Sequence, residues 1–145
     1  MKKHKTTIAT LLLICFSIFA TQTISAKAAG ITPYYNNTQT AVMYMSIGDN
    51  GLMTITYRYS GLPSSTTGAT ITTYIEKKTL GIFWTRVDIG TSDNQWVDTV
   101  SSYTYTGSRT YQLSARGTYR TTVIYEVYGT NGPADTITCE DTATY

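Results

Sequence analysis

Through most of this chain the apolar positions recur at every second residue. Ala41, Met43, Met45 and Ile47 form one such set, and Met53, Ile55, Tyr57 and Tyr59 form the next. A period of two sends one face of a strand into a core and leaves the other to water. The linker between the two sets fixes how they pair. A two-residue Asn50-Gly51 turn would put them on opposite faces. A three-residue Asp49-Asn50-Gly51 loop sets Met45 opposite Ile55 and Met43 opposite Tyr57. That loop wants glycine third, in the left-handed position of a G1 bulge, and a one-residue slip would turn a whole face outward. The three-residue loop is therefore expected.

The C-terminal stretch repeats the argument. Tyr119, Val123, Tyr125 and Val127 share a face, and a Thr130-Asn131-Gly132 loop sets Tyr125 opposite Ile137 and Val123 opposite Cys139. It also brings Asp141 opposite Thr121 on that apolar face, which the pattern does not account for. In the middle, Ile71, Thr73 and Ile75 alternate, followed by Val87 and Ile89. Pairing Ile75 with Val87 puts Glu76 opposite Arg86, an expected cross-strand charge pair, and leaves Tyr74 and Trp84 on the other face. The intervening Thr79-Leu80-Gly81-Ile82-Phe83 is apolar for a loop. It is expected either to cap one end of the fold or to form a contact patch.

Further turn signals fall at Gly61-Leu62-Pro63-Ser64, Gly90 to Asn94, Thr106-Gly107-Ser108 and Asn131-Gly132-Pro133, with strands expected around 95–105 and 109–115. The sum is an all-β, antiparallel sandwich of seven or eight strands. Gly117-Thr118-Tyr119 opens a late strand in the manner of the tyrosine corner of immunoglobulin-like sandwiches, with Tyr119 as the structural tyrosine. Thr121 stands where antibody domains carry cysteine, so the expected immunoglobulin-like fold lacks the inter-sheet disulfide.

One segment breaks the alternation. Met1-Lys2-Lys3-His4-Lys5 is basic, Ile8 to Ala20 is a largely apolar run, and Ala26-Lys27-Ala28 offers an Ala-x-Ala site. This is the make-up of a secretory signal, and the apolar run is short of the roughly 18–20 residues of a membrane span. Cleavage is expected near Ala28, with Ala26 as the alternative, giving a leader 1–28 and one extracellular domain 29–145. Cys15 follows Ile14 inside the apolar run, so no lipid attachment and no stable membrane anchor are expected.

Removing the leader changes the charge. Lys2, Lys3, Lys5 and Lys27 are four of the 11 basic residues, while all nine acidic ones stay, so the net charge moves from +2 to −2. A nucleic-acid partner is not expected. His4, the single histidine, goes too, and Cys139 becomes the only thiol. Residues 29–145 thus exclude Ser-His-Asp and Cys-His catalysis, histidine-ligated zinc and an internal disulfide. Cys139 alternates with Ile137, which places its thiol in the core, with an intermolecular disulfide as the alternative.

The nine carboxylates are scattered over strands and loops, and neither Asp49-Asn50-Gly51 nor Asp93-Asn94 is long enough to hold calcium. No enzyme, cofactor or metal is expected. What stands out is aromatic: 13 tyrosines, of which Tyr44, Tyr74, Tyr103, Tyr105 and Tyr128, with Trp84, fall on outward faces or near loops. Such side chains give large contact area at low entropy cost. Trp84, Tyr74, Leu80 and Phe83 are the candidate binding surface.

Pro33-Tyr34-Tyr35, Ile75-Glu76-Lys77-Lys78 leading to Trp84-Thr85-Arg86-Val87, Gly117-Thr118-Tyr119-Arg120 and a last strand ending at Tyr145 carry a resemblance. With these features the chain resembles an uncharacterised family of short exported proteins from Gram-positive, spore-forming anaerobes. The resemblance implies a secreted β-domain and supplies no catalytic residues. The expected role is binding of a protein or glycan through an aromatic face. The alternatives are a membrane-active effector and a structural component of an extracellular matrix.

Overall fold

The structure, a computed structural model, describes residues 35–145; the leader and its cleavage site lie outside them. Eight strands follow in order: β1 (Thr38–Ile47), β2 (Leu52–Gly61), β3 (Thr66–Thr79), β4 (Phe83–Arg86), β5 (Trp96–Val100), β6 (Thr104–Gln112), β7 (Thr118–Gly129) and β8 (Asp135–Thr144). All pairings are antiparallel. One sheet runs β1-β2-β6, the other β4-β3-β7-β8. β7 lines one edge of β3 from Thr66 to Lys77, so β4 and β5 share the opposite edge end to end.

The inner faces supply the core of this sandwich. Met53, Ile55, Tyr57 and Tyr59 come from β2; Ala69, Ile71 and Ile75 from β3; Tyr119, Val123, Tyr125 and Val127 from β7. Four tyrosines bury their rings and place the hydroxyl at the rim, where each finds an acceptor: Tyr57 on Asp98, Tyr59 on the Ser102 carbonyl, Tyr119 on the Ala115 carbonyl and Tyr125 on the Val42 carbonyl. A buried phenol needs such a partner, since an unpaired polar group costs free energy in the interior. Burial raises the pKa of Tyr57, Tyr59 and Tyr125.

The hairpin registers match the alternation argument. Met45 faces Ile55 and Met43 faces Tyr57, with Gly51 at a φ of 79° in the loop. Tyr125 faces Ile137 and Val123 faces Cys139. Asp141 does lie opposite Thr121, and the sandwich accommodates it: β1 passes alongside, and the Met45 N–H donates to the carboxylate at 3.3 Å.

Two expectations are corrected. Thr106-Gly107-Ser108 is no turn; it lies within β6, and the chain instead breaks between β5 and β6. Gly107 is there because the Tyr57 ring lies over it: a Cβ would come within 2.5 Å of that ring. Glu76 does face Arg86 in register, but the two form no ion pair. Glu76 is held by Arg120, its neighbour on β7.

At the end where β1 begins, a polar node joins the two sheets. The Asp135 carboxylate accepts the N–H groups of Asn36 (2.8 Å) and Asn37 (2.7 Å) and the Thr38 hydroxyl (2.9 Å). Asn37 is fully buried and donates to the Pro133 carbonyl at 3.1 Å.

Candidate functional site

β3 is the longest strand, with 14 residues, and it outruns its sheet. Its last rung with β7 is Lys77 to Tyr119, while its ladder with β4 continues through Lys78–Trp84 to Thr79–Phe83. The hairpin therefore projects past the sandwich. It closes through Leu80 and Gly81, both at positive φ (51° and 73°), with the Ile82 N–H donating to the Thr79 carbonyl at 3.1 Å. Three residues, Leu80-Gly81-Ile82, separate the two halves of the Thr79–Phe83 rung, and the turn that opens this loop has positive φ at both central positions, an arrangement that favours Asn-Gly. Leucine at the first position pays the left-handed penalty that its Cβ imposes.

The apolar tip caps nothing. Leu80 is 88% exposed, Ile82 70% and Phe83 61%. Because these rungs extend beyond β7, no neighbouring strand among the described residues covers them.

Below the tip, the outer face of the same hairpin gathers cations on aromatic rings. Trp84 pairs across the strand with Lys78, whose Nζ is 5.7 Å from the ring centroid. Arg120 reaches over from β7, with Cζ at 4.6 Å from the same ring. Arg86 stacks on Tyr74 at 3.5 Å. The Arg120 guanidinium also donates to one Glu76 oxygen through Nε (3.0 Å) and Nη2 (2.7 Å), with Glu140 at 3.8 Å. Those hydrogen bonds from Arg120 to Glu76 raise the Arg120 pKa further.

Of the sequence candidates, Trp84 and Tyr74 thus share one face, and Leu80 and Phe83 occupy the tip above it. The other outward tyrosines do not join them. Tyr44 is on β1 of the other sheet, Tyr103 in the β5–β6 connection, Tyr105 half-buried on β6 and Tyr128 at the far end of β7. Tyr119 donates to the Ala115 carbonyl at 2.5 Å, four residues upstream. Cys139 is half-buried against the core, its thiol 3.7 Å from the Ala41 carbonyl, and burial raises its pKa. Sequence reasoning missed the cations. Lys78 and Arg86 share the parity of Tyr74 and Trp84 and were legible; Arg120 depends on the β3–β7 pairing and was not.

Elsewhere, a shallow depression of about 390 Å³ on the β1-β2-β6 sheet is lined by Thr40, Arg58, Tyr59, Ser60, Thr104, Tyr105 and Thr106. Among the described residues no group of three or more His, Cys, Asp or Glu is placed to hold a metal. No helix among them is long and apolar enough to cross a membrane. No family model, curated protein or solved structure matches the chain.

Proposed function

We propose that this chain is an exported, immunoglobulin-like domain that acts by non-catalytic recognition through the end bearing the β3–β4 hairpin. The leader composition supports export. The strand order supports the fold type: β1-β2-β6 packed on β8-β7-β3-β4 corresponds to an A-B-E sheet facing G-F-C and its extension, with Tyr119 in the corner position at the start of the F-like strand.

One observation carries the binding reading: three large apolar side chains stand side by side at a projecting tip, with Leu80 in a left-handed conformation. Covering each would contribute about 1.5–3 kcal/mol in a complete burial. A solvent-facing turn gains nothing from leucine there.

The tip, rather than the aromatic face, is the contact surface. A sugar stacks on an open ring face, and the faces of Tyr74 and Trp84 already carry Arg86, Arg120 and Lys78. These rings support the hairpin, and the tip makes the contact. The test is retention of the secreted protein on a fixed panel of immobilised glycans, matrix proteins and lipid vesicles. The L80N/I82T/F83T variant is expected to be released wherever the wild type is retained, while Y44A and Y128A, on other surfaces, are retained. Equal retention of the tip variant would overturn the reading.

A further inference from the structure

We infer that the partner of the hairpin end is the surface of an anionic lipid bilayer, a step that rests on the reading of this end as the binding end. The chemistry of the hairpin changes in order with distance from its tip. Outermost stand Leu80, Ile82 and Phe83, exposed and apolar. One rung below Thr79–Phe83 come Lys78 and Trp84, and two rungs further Glu76 and Arg86, with Lys77 between them. At about 3.3 Å per residue, the distance from Leu80 back to Lys77 is roughly 10 Å. A bilayer leaflet shows the same sequence over the same depth: hydrocarbon, an interfacial layer that favours tryptophan, then anionic headgroups that attract lysine and arginine.

The charge is placed to match. Residues 35–145 hold seven basic side chains, and five of them (Lys77, Lys78, Arg86, Arg116 and Arg120) belong to this end. Lys77 lies over Gly117, which brings the Arg116 loop beside it. Arg120 is taken up by Glu76 and Glu140. Among the described residues, Lys77, Lys78, Arg86 and Arg116 have no carboxylate within ion-pair distance. The residues expected to remain after cleavage carry a net charge of −2, so attraction to an anionic surface comes from this end and orients the domain tip-down.

Docking is peripheral. The projecting rungs are far shorter than the roughly 9–11 residues a membrane-crossing strand requires. The hairpin tip enters the interface and the sandwich stays outside.

The experiment is co-sedimentation of the secreted protein with vesicles of phosphatidylcholine alone or with about a third phosphatidylglycerol, each also loaded with a trapped dye. The expected result is at least tenfold stronger partitioning onto the anionic vesicles, falling steeply with salt, without dye release. L80N/I82T/F83T should lose at least tenfold, and K77Q/K78Q should lose binding at low salt; L80N keeps a favourable turn residue, and thermal melts check that both variants are folded. Absence of partitioning, equal binding by the folded tip variant, dye release, or full competition by soluble glycerol phosphate would each overturn the lipid inference. Failure on vesicles with tip-dependent retention on another panel member would overturn the lipid inference alone and leave the binding-end reading standing.

Discussion

Glu76 sits between two arginines, Arg86 on β4 and Arg120 on β7, and bonds only to Arg120. Arg86 lies instead on the Tyr74 ring, its diagonal neighbour on the same face. The pairing gives a testable asymmetry. A double-mutant cycle of E76Q with R120A should show a coupling of about 1 kcal/mol, because two charge-assisted hydrogen bonds converge on one half-buried carboxylate oxygen. The cycle of E76Q with R86A should be additive within about 0.3 kcal/mol. Urea melts of the six proteins decide between them.

Leu80 tests whether the tip serves stability or contact. Asparagine tolerates positive φ and favours this turn, so L80N should stabilise the fold by about 0.5–1 kcal/mol. A higher melting temperature combined with lost binding would separate the two roles. A lower melting temperature would mean that leucine supports the hairpin in some other way.

Thr73 is fully buried on β3, and its hydroxyl has no hydrogen-bond partner among the described residues. T73V replaces that hydroxyl with a methyl group of similar size and should raise stability by about 1 kcal/mol. Denaturant midpoints at unchanged slope would show it.

The buried tyrosines set the alkaline limit. Burial, and for Tyr57 also its hydrogen bond to Asp98, favours the neutral phenol and raises the folded-state pKa of Tyr57, Tyr59 and Tyr125. The unfolded chain releases those protons at about pH 10. Their contribution is therefore complete below about pH 10 and is lost as pH rises through the folded values. Ultraviolet titration should show Tyr57, Tyr59 and Tyr125 ionising together with loss of the fold. A single transition near pH 10 with the fold intact would contradict this.

Asp135 holds three donors from residues 36–38. D135A leaves them without an acceptor in a buried position and should cost about 3 kcal/mol. Amide exchange resolved by residue should accelerate most at Asn36 and Asn37, while the β2 core amides follow only the global change.

The local part of this fold was legible in the sequence. The two-residue alternation aligns β1 with β2 and β7 with β8, but only Gly51 takes the left-handed third position expected of it. Gly132 has a φ of 132° and the β7–β8 ladder already ends at Val127–Asp135, so that connection is longer than the expected three residues. The rest depends on residues far apart in the chain. Gly107 looks like a turn residue until the Tyr57 ring from β2 is placed over it. Glu76 looks like a partner for Arg86 until β7 supplies Arg120 on its other side. The exposed tip follows from where β7 stops relative to β3, and no local pattern of Leu80 to Phe83 encodes that.

The seam between β1 and β8 has a mechanical consequence. Asn37 meets Asp135, Ala41 meets Cys139 and Met45 meets Asp141, so the two strands run side by side in the same direction. Tyr125 adds a 2.6 Å bond to the Val42 carbonyl along the same line. The beginning and end of the described chain therefore leave from opposite poles. Tension applied between them is expected to load all these contacts in shear at once, rather than peel them one after another. A domain held at one pole by a surface and pulled from the other would then resist force far better than its modest size suggests.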